Sequence, residues 1–144
     1  FECLSIKKMF IEKDEFDVGI RRLLNYGHTF GHALELASNY TIPHGVAVAR
    51  GMDIVNYIAV KKELMGKILY DEIHNIIIEY FYSDRVFGIC PKVLIENTKK
   101  DKKNSNGMLN LVFLGELGNL FVKPIQLDSE LNAIVSSYIE ENFC

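Results

Sequence analysis

Along most of the chain apolar residues recur every three or four positions, and this spacing predicts helices. The first segment, Ile6-Lys7-Lys8-Met9-Phe10-Ile11, runs into Glu12-Lys13-Asp14-Glu15-Phe16-Asp17-Val18-Gly19, which reads as a helix end followed by a loop with Gly19 as punctuation. Over residues 20–38 the apolar positions Leu23, Leu24, Phe30, Leu34, Leu36 and Ala37 keep mostly helical spacing, with Asn25 or Thr29 as the cap. Asn39-Tyr40-Thr41-Ile42-Pro43 breaks the pattern, because Pro43 disfavours helix in the residue before it. A second helix is expected over 44–63, with Val46, Val48, Ala49, Met52, Val55, Ile58 and Ala59 forming a wide apolar face and Gly66 beyond its end. A third is expected over 68–82, with Ile73, Ile76, Ile77 and Tyr80 inward; the β-branched run Ile76-Ile77-Ile78 also suits a strand, but the flanking period favours helix. Residues 91–100 read as a short helix with Pro91 in its first turn. Two apolar runs, 108–114 and 120–122, flank Gly115-Glu116-Leu117-Gly118-Asn119 and predict a hairpin. Asp128 or Ser129 caps a last helix reaching about Glu141. The expected fold class is mainly α: a multi-helical domain with one small β-hairpin.

The chain has 144 residues, 49% of them hydrophobic, which fits one domain with its own core. The net charge of −3 argues against a nucleic-acid binder, which normally carries a basic face. No apolar run approaches the ~18 residues of a membrane span, and no secretory signal is visible at the start. Cys3, Cys90 and Cys144 are odd in number and widely spaced, which favours a reduced, cytoplasmic protein. The chain opens on Phe1 rather than Met, so a start inside a longer polypeptide, or trimming, is expected.

Three of the four histidines, His28, His32 and His44, fall within seventeen residues. His28 and His32 are four apart and share one face of a helix, and neutral imidazole is a good zinc ligand. His44 reaches back to them if the two helices pack antiparallel. The plainer alternative is a set of capped or core histidines. His74, with no partner nearby in sequence, reads as a surface or helix-face residue. Gly27 and Gly31 precede the two histidines inside a helical pattern, and Gly45 and Gly51 repeat this in the next helix. A helix-interior glycine costs ~1 kcal/mol relative to alanine, so either a ligand or a neighbouring backbone approaches closely there. If the helix is continuous, Arg21, Asn25, His28 and His32 form one polar stripe suited to a metal and an anionic substrate, or simply a solvated face. Lys99-Lys100-Asp101-Lys102-Lys103 is either a solvated loop or a phosphate contact.

The stretch Arg21-Arg22-Leu23-Leu24-Asn25-Tyr26-Gly27-His28-Thr29-Phe30-Gly31-His32-Ala33-Leu34-Glu35, then His44-Gly45-Val46-Ala47-Val48-Ala49-Arg50-Gly51-Met52, resembles the 3-dehydroquinate synthase family and, more broadly, the sugar-phosphate cyclases. The likeness extends upstream to Lys7 and Asp14-Glu15 and downstream to Asp101-Lys102-Lys103-Asn104, so it covers the C-terminal half of such an enzyme. The resemblance implies a mostly helical domain that supplies two of three zinc ligands, His28 and His44, the third being a Glu of an N-terminal NAD-binding α/β domain absent from this chain. It implies that His32 lies on the substrate side near the phosphate, that Asn25 and Lys102 or Lys103 contact the phosphate, and that Lys7 and Arg21 hold a carboxylate. His32 and Lys102 would carry catalytic roles.

The implied activity is that of a carbon–oxygen lyase of the shikimate pathway of aromatic amino-acid biosynthesis. It converts 3-deoxy-arabino-heptulosonate 7-phosphate to 3-dehydroquinate with loss of phosphate. Its cofactors would be NAD and zinc, or another divalent metal such as cobalt. A homodimer is implied, with the isolated domain inactive. Two positions depart from the family pattern: Val46 stands where a Glu follows H-G, and Asp17 where a Glu is common. Two alternatives therefore stand beside this reading: a sister cyclase acting on another sugar phosphate, and a non-catalytic helical domain that binds a metal or a partner.

Overall fold

A computed structural model describes residues 2–16, 19–81, 88–99 and 107–143. In chain order these form α1 (Glu2–Lys13), a 3-10 helix (Ile20–Asn25), α2 (His28–Ala37), α3 (His44–Lys61), α4 (Lys67–Phe81), α5 (Pro91–Thr98), β1 (Met108–Glu116), β2 (Asn119–Gln126) and α6 (Ser129–Phe143). The expected mainly helical fold with one hairpin is what forms.

The wide apolar face of α3 makes it the central element: Ala47, Ile54, Val55, Ile58 and Ala59 are buried. Helices α2, α4 and α6 and strand β1 all pack on it. Phe30 and Leu34 of α2, Leu94 of α5, Leu111 and Phe113 of β1, and Val135 and Ile139 of α6 complete one core. The two strands pair antiparallel, Val112 opposite Val122, with a bulge between Leu114 and Glu116. Gly118, at φ 82°, supplies the left-handed residue of the turn. Asp128 caps α6 by accepting from the Leu131 amide at 2.9 Å.

Two expectations change. The helix expected over 20–38 is interrupted at Tyr26–Gly27, where Gly27 turns to φ 77°, so a 3-10 helix precedes α2 and neither Asn25 nor Thr29 caps it. On α4 only a narrow stripe faces α3, with Tyr70 and Ile77 buried and Ile73 partly so. Ile76 and Tyr80 lie outside that stripe and are 55% and 70% exposed. The β-branched run remains helical.

The glycines settle as backbone contacts. A Cβ on Gly51 would lie 2.0 Å from the Gly27 carbonyl oxygen, and one on Gly31 would lie 3.0 Å from the Val48 Cα. Helices α2 and α3 therefore cross with main chain against main chain. Gly45 is different, because a Cβ there would meet nothing within 4 Å.

Behind this crossing sits a buried polar cluster. Asp53 of α3 is fully buried; its Oδ2 accepts from the Tyr138 hydroxyl of α6 at 2.5 Å and lies 2.7 Å from His74 Nδ1 of α4. His74 is thus a partly buried residue on one face of α4, paired with Asp53. Burial raises the Asp53 carboxyl above its ordinary 3.8, against the lowering effects of Tyr138 and His74. The native chain therefore holds this proton at pH values where the unfolded chain has lost it. Stability from Asp53 is full below about 3.8 and is lost as pH rises through the raised folded value. We expect Asp53→Asn to remove that downward slope, as checked by urea midpoints measured from pH 3.8 upward. An unchanged slope would contradict this linkage.

Among the described residues no helix is long and apolar enough to cross a membrane.

Candidate metal and substrate site

The site starts at the break before α2. Tyr26 is anchored by its hydroxyl, which donates to Asn56 Oδ1 at 2.5 Å, and burial pushes its pKa up to about 12. Its carbonyl oxygen lies 3.2 Å from His28 Nδ1. A carbonyl only accepts, so Nδ1 carries the hydrogen and Nε2 the lone pair. One α2 face then presents His28, His32 and Glu35 at i, i+4 and i+7.

Helix α3 begins at His44, directly after Pro43. The close antiparallel crossing of α2 and α3 brings this first residue over the α2 face. Ring centroids are 5.5 Å apart for His28–His32, 5.6 Å for His28–His44 and 5.8 Å for His32–His44. His44 Nδ1 lies 3.2 Å from Glu35 Oε1. One donor atom from each of His32, Glu35 and His44 falls within 4.8 Å of the others. His28 is not in that compact set, but its ring lies 5.5–5.6 Å from those of His32 and His44; imidazoles with a carboxylate beside them are donor types that suit zinc or cobalt, so the residues present fit a divalent metal.

The remaining predicted residues are placed as follows. Lys7 lies exposed on α1, which packs chiefly on the 3-10 helix. Arg21 does not continue the histidine stripe, because the helix breaks after Asn25. Its Nη1 donates to the Glu15 carbonyl at 2.9 Å, and its amide donates to Asp14 Oδ2 at 3.0 Å. Asn25 closes the 3-10 helix and is half-buried. Lys102 and Lys103, with Asp17, Asp101 and Asn104, lie outside the described residues. Val46 packs against the core, which gives its apolar character a structural reason.

Two residues that the sequence marks only as part of the family likeness take roles here. Asp14 is buried and ties down the loop, also accepting from the Gly19 amide at 2.7 Å. Glu35 joins the histidines; its position seven residues after His28 on one helix was the available signal.

Comparison with known proteins shows the family and the fold. Residues 1–104 match the family described as 3-dehydroquinate synthase C-terminal. The 3-dehydroquinate synthase of Clostridium perfringens (strain SM101 / Type A) is 40% identical over 123 residues, 85% of this chain and 35% of the relative. That of Dehalococcoides mccartyi is 35% identical over 140 residues, 97% of this chain and 38% of the relative. The chain thus spans little more than a third of the length of these relatives. In fold it is similar to 2-deoxy-scyllo-inosose synthase, solved in complex with carbaglucose-6-phosphate, NAD+ and Co2+. The TM-score is 0.78 at 22% identity, covering 98% of this chain and 40% of that one.

Proposed function

We propose that this chain, which belongs to the 3-dehydroquinate synthase C-terminal family, is the metal- and substrate-binding domain of an enzyme that converts 3-deoxy-arabino-heptulosonate 7-phosphate to 3-dehydroquinate with elimination of phosphate. The observation that carries this is the convergence of His28, His32 and His44 across the α2–α3 crossing, with centroids 5.5–5.8 Å apart. The relatives at 35–40% identity bear the name of that activity and support it over the sister-cyclase and non-catalytic alternatives.

His28 and His44 would hold the metal, zinc or another divalent ion such as cobalt, with a third ligand from an N-terminal domain. When bound, the metal supplies Lewis-acid polarisation of substrate oxygens, and NAD, held mainly by that N-terminal domain, supplies hydride exchange. The remaining work falls to side chains of this domain. His28, its Nδ1–H donated to the Tyr26 carbonyl, presents Nε2. His32 faces outward beside it and handles a proton near the substrate phosphate. Arg21 and Lys7 hold the substrate carboxylate; the guanidinium uses one of its five donors on Glu15, which orients the rest. Asn25, Lys102 and Lys103 meet the phosphate. The working unit is a homodimer of two-domain subunits.

Phosphate release from 3-deoxy-arabino-heptulosonate 7-phosphate, measured on the two-domain protein carrying this chain, tests the proposal. Release that requires both NAD and a divalent metal is expected, with none from these 144 residues alone. A folded, metal-loaded protein that releases no phosphate would contradict it.

A further inference from the structure

We infer that Glu35 is the positioning residue of this site: its carboxylate holds His44 as the Nδ1–H tautomer and so directs Nε2 toward the ion. The inference rests on the reading of His44 as a metal ligand. Glu35 Oε1 lies 3.2 Å from His44 Nδ1. A carboxylate accepts and does not donate, so the hydrogen sits on Nδ1 and the lone pair on Nε2.

Burial sets the direction of control. The Glu35 side chain is 13% exposed and that of His44 is 57% exposed. The carboxylate is the anchored partner and the imidazole the one with freedom to turn. The main chain beneath Glu35 is also fixed, since its carbonyl accepts from the Tyr40 amide at 2.7 Å and from the Ser38 hydroxyl at 3.0 Å. The His44 imidazole, at the first residue of its helix, otherwise meets the rings of His28 and His32 at 5.6 and 5.8 Å, contacts that leave the choice of tautomer to Glu35. Val46, two residues on, is apolar and turned to the core, so it offers His44 no acceptor.

His28 repeats the logic with a different acceptor. Its Nδ1 meets the Tyr26 carbonyl, so both candidate ligands are set to the same tautomer by outer partners. Such partners fix ring orientation, and their loss commonly costs about 10–100-fold in metal affinity.

The test uses the 144-residue chain. Long-range proton–nitrogen NMR of the metal-free protein, above the imidazole titration range, reports the His44 tautomer. Zinc affinity by competition with a chelator reports the consequence. Wild type is expected to show Nδ1–H at His44. Glu35→Ala is expected to shift His44 toward the Nε2–H form and to weaken zinc binding about 10–100-fold. Glu35→Gln keeps an acceptor oxygen, so it should retain the tautomer and most of the affinity. An unchanged His44 tautomer in Glu35→Ala overturns the inference. So does a Gln variant that loses as much affinity as Ala, because that result makes Glu35 a ligand. The tautomer needs no metal, whereas failure of the underlying reading shows separately, as a His44→Ala chain that binds zinc like wild type.

Discussion

His28→Ala is expected to abolish turnover in the two-domain protein, to strip it of metal and to leave its helicity near wild type. His28 is half-buried at the first residue of α2, with its Nδ1 3.2 Å from the Tyr26 carbonyl oxygen. Removing the ring opens surface rather than core, so the stability change should stay within about 1 kcal/mol. The functional change is far larger. This chain is proposed to supply two of the three metal ligands, and deleting one leaves a site unable to hold the ion that polarises the substrate. Lewis-acid stabilisation is worth several kcal/mol, so kcat/KM should fall by about 10³-fold or more. Steady-state kinetics, metal analysis and circular dichroism on the same preparation check the three statements together. Full activity in this variant would remove His28 from the metal site.

The second large effect falls on stability. Gly51→Ala should destabilise the fold by about 3 kcal/mol or more, although alanine is the better helix former by ~1 kcal/mol. The added Cβ would lie 2.0 Å from the Gly27 carbonyl oxygen and 2.6 Å from the Gly31 amide nitrogen. Both are main-chain atoms, so no side-chain rotation relieves the overlap. The helices must move apart, and that motion also separates His44 from His28 and His32. Urea denaturation should therefore show a large drop in midpoint, with weaker zinc binding. Gly45→Ala is the matched control: it sits in the same helix with open space around its Cβ and should fold as well as wild type. A Gly51→Ala chain as stable as wild type would mean that α2 and α3 do not cross at this distance.

Much of this arrangement was legible in the residues, because the local signals and the tertiary outcome agree. The apolar face of α3, the glycines of the hairpin turn, the Asp128 cap and Pro91 at the start of α5 all act over a few positions. The histidines were legible as a group, because the i, i+4 spacing of His28 and His32 needs only a helix, and His44 follows the proline that starts the next one. The break at Gly27 was not, because residues 20–38 keep one period across it; the interruption coincides with contacts distant in sequence, Tyr26 to Asn56 and Gly27 against Val48 and Met52. The same break separates Arg21 and Asn25 from the histidine stripe. The pairing of His74 was not legible for a similar reason: its partner Asp53 is twenty-one residues distant and on another helix. The glycines before the histidines were legible as close approaches, but whether a ligand or a helix approached depended on the α2–α3 crossing.

Cobalt(II) titration of the 144-residue chain, followed by its visible absorption, addresses the metal centre most directly. Imidazole-ligated cobalt has a spectrum distinct from that of the hydrated ion. Wild type is expected to develop that spectrum on titration with excess cobalt, with weak affinity because a third ligand is proposed to come from another domain, and the His28→Ala/His44→Ala double variant to lose it. A wild-type chain that leaves the cobalt spectrum unchanged, or a double variant that binds as wild type does, would contradict the assignment of these histidines as the metal centre.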